Sequence, residues 1–162
     1  MDFQQSLITT VHDYSLGNLD AIAFNKELKQ RPTALLIPCL MEEFSRPALT
    51  LIRDTLASLT ELTSLVIALS AESAEDVAEA ERFFADMPFP VRVHWTNGPA
   101  VGEVLSSMAS LGLELTGPPG KGWAVWQGLG VACQDAEVIG LFDADIRSFG
   151  SGYPERMLRP LL

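Results

Sequence analysis

Apolar residues recur along this chain in two rhythms. Short continuous runs at 34–37, 65–69 and 138–142, and the alternating stretch Val91-Arg92-Val93-His94-Trp95, have the length of strands. Between them apolar residues return at helical spacing. Leu49, Ile52, Leu56 and Leu59 form one stripe, and Val77, Ala80, Phe84 and Met87 a second. Val101, Val104, Leu105, Met108 and Leu111 form a third, and Trp123, Trp126, Leu129 and Cys133 or Ala132 a fourth. Side chains alternate faces along a strand and return about every 3.6 residues along a helix, so the pattern predicts strands alternating with helices. Such alternation predicts an α/β fold: a doubly wound, mainly parallel sheet flanked by helices and joined by right-handed crossovers. The run at 138–142, built of Val, Ile, Leu and Phe around one Gly, reads as a strand buried on both faces. The alternation at 91–95 places that strand nearer an edge.

Turn and cap residues divide the chain further. Arg31-Pro32 ends an N-terminal helical stretch within residues 1–30, in which Leu19, Ile22, Ala23 and Leu28 would share a face under an Asn18 cap. His12 in that stretch is given no role. Residues 31–162 then form the main domain. Pro38 is expected to stop the ladder of the first strand. Ser45 is expected to cap the next helix, with Pro47 in its first turn. Ser73 and Asp76 have the spacing of a capping box, and Glu72 and Glu75 suit a helix N-terminus. Asn97-Gly98-Pro99 is a turn, and the Gly-Pro-Pro-Gly loop at 112–120 is exposed.

Two stretches carry candidate chemistry. Asp143-Ala144-Asp145 lies just past the carboxyl end of the last strand, where open α/β sheets bind ligands. Two carboxylates converging there repel unless a cation lies between them. A magnesium or manganese ion (Mg²⁺ or Mn²⁺) suits oxygen ligands and completes its shell with phosphate oxygens. The competing reading is a solvated Asp-x-Asp loop. Gly120-Lys121-Gly122 opens a helix, where free N–H groups favour an anion and Lys121 adds a charge. It is not a Walker loop, and a plain turn with a solvated lysine is the alternative.

Composition narrows the partners. At 162 residues, 48% hydrophobic and 20% charged, the chain fits one folded domain. A net charge of -10 argues against nucleic acid or an anionic membrane as partner. It also means that a phosphorylated substrate needs a local device such as a cation or a helix N-terminus. The apolar runs fall far short of the ~20 residues of a transmembrane helix. The stretch Met1-Asp2-Phe3-Gln4-Gln5 carries no signal core. Cys39 and Cys133 are isolated in apolar surroundings and read as buried free thiols, which points to a cytoplasmic location.

Three stretches together carry a resemblance. They are Leu36-Ile37-Pro38-Cys39-Leu40-Met41-Glu42-Glu43, Pro119-Gly120-Lys121-Gly122, and Phe142-Asp143-Ala144-Asp145-Ile146-Arg147-Ser148-Phe149-Gly150. From about Arg31 to Leu162 the chain resembles the nucleotide-binding half of GT-A glycosyltransferases. The resemblance is closest to the retaining glucosyl-3-phosphoglycerate synthase and mannosylglycerate synthase families. It implies a Rossmann-like GT-A nucleotide-binding domain that takes a nucleotide sugar and passes a hexose to a small acceptor such as glycerate or 3-phosphoglycerate. By the same resemblance Asp145 would ligate the divalent metal, and Asp143 would contact the ribose or the metal through water. Pro38, Leu40 and Glu42 would line the nucleoside pocket, and Gly120 and Lys121 would meet the nucleotide or its phosphates.

The chain departs from those families at Met41, where Asn is frequent, and at Ser70, where many relatives carry an acidic residue that helps hold the base. Neither His12 nor His94 matches the further metal-binding His of their acceptor-binding half. The chain therefore reads as a donor-binding fragment or a truncated product, and an interrupted sheet would favour a homodimer. Other readings stay open: a nucleotide-binding fragment without turnover, or a nucleotidyltransferase, although residues 38–43 lack that class's glycine-rich loop. A haloacid-dehalogenase-like phosphoryl transferase needs its Asp pair on an early strand, and here the pair comes late.

Overall fold

The computed structural model describes residues 21–113, 120–150 and 152–162. Leu19, Asn18 and His12 lie outside the described residues, as does most of the loop before Gly120. The described strands are β1 (Thr33–Leu40), β2 (Ser64–Ser70), β3 (Val91–Trp95) and β4 (Val138–Leu141). They form one sheet in the order β3-β2-β1-β4, and each neighbouring pair is parallel. The helices are α1 (Ala21–Gln30), α2 (Pro47–Leu56), α3 (Ala74–Phe83), α4 (Pro99–Ser110), α5 (Lys121–Ala132) and α6 (Gly152–Leu158).

β1 and β2 alternate their side chains between two cores. Leu35, Ile37, Leu65, Ile67 and Leu69 enter the larger core with Leu49, Ile52 and Leu56 of α2 and Ala80 of α3. Ala34, Leu36, Val66 and Ala68 meet Ala124 and Ala132 of α5 on the other face. The mainly parallel sheet flanked by helices is thus as expected. α1 also belongs to the larger core, through Phe24 and Leu28. The expected face of that helix is corrected, because Ile22 is 85% exposed. Phe24 and Leu28 are one turn apart and bury together, whereas Ile22 points away from both.

Four further expectations are corrected. β1 does not stop at Pro38: it runs on to Leu40, with Pro38, Cys39 and Leu40 paired to Ala68, Leu69 and Ser70. Leu36 accepts from Phe142 N at 3.0 Å on the β4 side, so Pro38, two residues on, turns its missing N–H to that side beyond the last β1–β4 pair. Ser45 is not a helix cap. It ends the 3₁₀ turn Met41–Ser45 and donates to Glu42 O at 2.8 Å, while Arg46 takes the N-cap position of α2. β4 lies at the edge of the described sheet and is not covered on both faces: Val138 and Gly140 are buried, but Leu141 is 45% exposed. Finally, α5 buries Ala124, Gly128 and Ala132, while Trp126 is 52% exposed and Cys133 is exposed. Small residues face the sheet because the helix lies close on it.

The capping box of α3 is present. Asp76 N donates to Ser73 Oγ at 3.2 Å, and Ser73 N donates to Asp76 Oδ2 at 3.0 Å. α4 forms where its stripe predicts, yet it buries no residue fully, and Val104 is exposed. Among the described residues no helix is long and apolar enough to cross a membrane.

Candidate nucleotide-binding cleft

A cleft of about 790 Å³ opens at the carboxyl ends of the strands. Its floor comes from the end of β1, at Pro38, Cys39 and Leu40, and of β2, at Ser70. Thr96, Asn97 and Gly98 follow β3, and Val101, Gly102 and Leu105 of α4 form a side wall. Gly120, Lys121, Trp123 and Ala124 begin α5, and Asp143, Ala144 and Asp145 close the rim after β4.

Each segment is held there by local bonding. Phe142 N pairs with Leu36 O and so fixes the direction in which the chain leaves β4 toward Asp143. Ala144 between the acids is buried, which anchors the loop and leaves both carboxylates outward. The turn after β3 is tied to β2. Thr96 Oγ1 donates to Leu69 O at 3.0 Å, and Asn97 brackets Ala71, with Nδ2 donating to its O at 2.9 Å and Oδ1 accepting from its N at 3.1 Å. α5 is keyed to the same turn by Gln127, whose Nε2 donates to Thr96 O at 3.0 Å. With that amide nitrogen engaged, Gln127 Oε1 accepts from His94 Nε2 at 2.7 Å. His94 thus braces α5 against β3 and does not line the cleft.

Of the residues named from the sequence, Pro38, Leu40, Gly120, Lys121, Asp143 and Asp145 line one cleft. Glu42 does not. Consecutive residues of a 3₁₀ turn point about 120° apart, and here Glu43 turns in while Glu42 turns out to solvent. Arg46 holds both, reaching Glu43 Oε1 at 2.6 Å and Glu42 Oε1 at 3.1 Å. Glu43 is 8% exposed and its second oxygen has no partner among the described residues. Cys39 lies beside it. Burial, reinforced by the Glu43 charge, pushes its thiol up to about 12. Trp123, read from the sequence as a core position, stacks on Trp126 at 5.2 Å between ring centroids and lines the cleft instead.

The charged rim is small. Lys121 Nζ donates to Asp143 Oδ1, while Asp145 is exposed and has no hydrogen bond or ion pair among the described residues. The fit to a divalent cation is good in kind. Carboxylate oxygens are the ligands that Mg²⁺ and Mn²⁺ take, and a pair of them leaves positions for phosphate and water. Among the described residues no group of three or more His, Cys, Asp or Glu gathers, and Asp143 and Asp145 are the two carboxylates that the loop after β4 brings to the rim.

The fold is the GT-A nucleotide-binding arrangement. It superposes on glucosyl-3-phosphoglycerate synthase from Mycobacterium tuberculosis in complex with Mn²⁺, uridine diphosphate and glucosyl-3-phosphoglycerate with a TM-score of 0.61. That match is at 17% identity and covers 91% of this chain and 45% of that one. The complex of the enzyme from the same organism with Mn²⁺, uridine diphosphate and phosphoglyceric acid gives a TM-score of 0.60 at 18% identity, covering 94% and 45%. In sequence the chain is 35% identical over 163 residues to a protein named glucosyl-3-phosphoglycerate synthase from Methanococcoides burtonii. It is 30% identical over 164 residues to one of the same name from Persephonella marina. These alignments cover 100% and 99% of the chain but 40% of each relative, so the chain spans well under half the length of the curated relatives it matches. No protein-family model matches it.

Proposed function

We propose that this chain is the donor-binding part of a glycosyltransferase that moves a hexose from a nucleotide sugar to a small acceptor such as glycerate or 3-phosphoglycerate. The transfer is metal-dependent and retains configuration. One observation carries the reading: a single cleft joins the Asp143-x-Asp145 pair to the Gly120-Lys121 start of α5. The similarity along the whole chain to synthases of that name supports it.

The residues take separate roles. Pro38 and Leu40 form the apolar bed for the nucleoside, and Glu43, not Glu42, is the acid on that wall. The N–H groups at the start of α5 and the Lys121 ammonium receive the diphosphate. Asp145 ligates the cation directly, and Asp143 holds the ribose or reaches the cation through water. A divalent cation bound there supplies charge neutralisation for the diphosphate leaving group. The protein's own part is to orient the donor and to place positive charge where negative charge grows. The free thiols of Cys39 and Cys133 accord with a cytoplasmic location.

Binding is the direct test. UDP-glucose, GDP-glucose, GDP-mannose and ADP-glucose are titrated calorimetrically into the chain with Mn²⁺ and with chelator. One donor is expected to bind with Mn²⁺ and to lose about tenfold or more in chelator, since a diphosphate meets two carboxylates on a protein of net charge -10. Equal affinity in chelator, or no binding of any donor, overturns the reading.

A further inference from the structure

Lys121 and Asp143 are ion-paired across the mouth of the cleft, although they belong to different elements 22 residues apart. Lys121 is the first residue of α5, and Asp143 lies in the loop after β4. The glycines on both sides of it, Gly120 and Gly122, have no neighbour among the described residues within 4 Å of where a Cβ would stand. Its carboxylate partner is one of the two acids that the loop after β4 brings to this rim. The ammonium therefore already occupies part of the negative field that a divalent ion would need. Both side chains keep about half their surface in solvent, so the pair stabilises the fold little and is cheap to exchange.

We propose that Lys121 is the resident counter-ion of the Asp143–Asp145 pair and is handed from Asp143 to the diphosphate when the nucleotide enters. In the empty cleft its charge opposes a bare divalent cation. A diphosphate offers the ammonium a partner of higher charge, which frees Asp143 at the moment the cation arrives with the phosphates. Metal and nucleotide thus favour each other's binding, and the coupling is reciprocal. This inference rests on the nucleotide-sugar reading of the cleft.

The proposal makes two effects of one substitution run in opposite directions. A unit charge about 5 Å from a divalent ion in a water-like medium changes its binding by roughly tenfold before salt screening. Lys121→Met should therefore bind Mn²⁺ alone about 3 to 10 times more tightly than wild type, while binding UDP in the presence of Mn²⁺ about fivefold or more weakly. Lys121→Arg keeps the charge and should match wild type toward Mn²⁺ alone. Free Mn²⁺ is counted by its electron paramagnetic resonance signal, UDP binding is read by calorimetry, and melting curves check that each variant is folded. Lys121→Gln, polar and uncharged, repeats the measurement should the Met variant fail to fold. An unchanged or weaker Mn²⁺ affinity in the uncharged variants overturns the counter-ion role. A wild-type chain that takes no UDP would instead sink the nucleotide reading, while the Mn²⁺ comparison still decides the role of Lys121.

Discussion

Substituting two glycines of α5 should change stability in opposite directions. Gly128 faces the sheet. A Cβ there would fall on Leu36 Cδ1, with Leu36 Cδ2 at 3.1 Å and Ala68 Cβ at 3.2 Å. Leu36 and Ala68 are fully buried, so neither can swing into solvent. Gly130 sits on the open face of the same helix with nothing within 4 Å of its would-be Cβ. Replacing either glycine by alanine gains up to about 1 kcal/mol of helix propensity. At Gly130 that gain stands alone, so Gly130→Ala should stabilise by about 0.5–1 kcal/mol. At Gly128 overpacking costs about 1–3 kcal/mol, and Gly128→Ala should fall between neutral and about 2 kcal/mol destabilised. Gly128→Val adds two more methyl groups, recovers less propensity because it is β-branched, and should cost about 2–4 kcal/mol. For a chain of this size each kcal/mol moves the melting temperature by about 2–4 °C. Circular dichroism during urea and thermal unfolding reads these changes. Function should follow packing: Lys121 begins the helix that Gly128 seats, so Gly128→Val should also weaken nucleotide binding and Gly130→Ala should not. Equal stability of Gly128→Val and Gly130→Ala would refute the close seating of α5 on β1 and β2.

Asp145→Ala should abolish the gain in nucleotide-sugar affinity that Mn²⁺ brings, with melting unchanged because the residue is exposed and packs no core. A Mn²⁺ gain that survives in the variant removes Asp145 from the metal site. The two thiols should separate by reactivity: exposed Cys133 reacts with a thiol reagent in the native protein at pH 8, whereas Cys39 reacts only after denaturation. The stability that Cys39 contributes by keeping its proton is fully present below the ordinary thiol value of 9.0 and is lost as pH rises toward about 12. Cys39→Ala should flatten that alkaline slope in urea titrations; a slope identical to wild type would assign it to other groups.

β2 was legible because burial in a parallel sheet demands an unbroken apolar run, as at 65–69, and β3 because the half-buried strand 91–95 alternates apolar and polar residues. The α3 capping box was legible because it is a local pairing of Ser73 with Asp76. What failed to show was set by contacts distant in sequence. Helical spacing of the large apolar residues puts Trp123, Trp126 and Leu129, with Cys133 or Ala132, on the buried stripe of α5. The close approach of Leu36 and Ala68 selects Ala124 and Gly128 instead, and of the expected stripe Ala132 alone is fully buried. The choice between Glu42 and Glu43 depended on a 3₁₀ turn whose rotation the run Met-Glu-Glu does not announce. The Lys121–Asp143 pair had no local signal either, since its partners come together only when α5 and β4 both pack on β1.

The place of the cleft follows from the winding of the sheet. From β1 the chain passes through α2 and α3 on one face to reach β2 and then β3. It then returns across the other face through α5 and inserts β4 on the opposite side of β1. Between β1 and β4 the strand order therefore reverses, and the loop after β4 turns onto the face of α2, where Thr55 Oγ1 donates to Phe149 O at 3.1 Å. Open α/β sheets bind ligands at such a point, because the gap presents backbone ends and helix starts to solvent. Here the loop after β1 supplies Leu40 and Glu43, and the loop after β4 supplies Asp143 and Asp145. α5, which makes the return crossing, brings its N-terminus and Lys121 to the same gap. The two sets of charges thus reach one site from opposite sides of a single strand junction. A change that shifts the β1–β4 register would separate them, and Gly140 leaves little room for one. A Cβ there would stand 2.8 Å from both Leu35 Cδ2 and Leu158 Cδ2. Leu35 and Leu158 are themselves buried, which leaves neither a route to yield. The glycine inside the strand that carries the acids is thus part of how the acids are aimed.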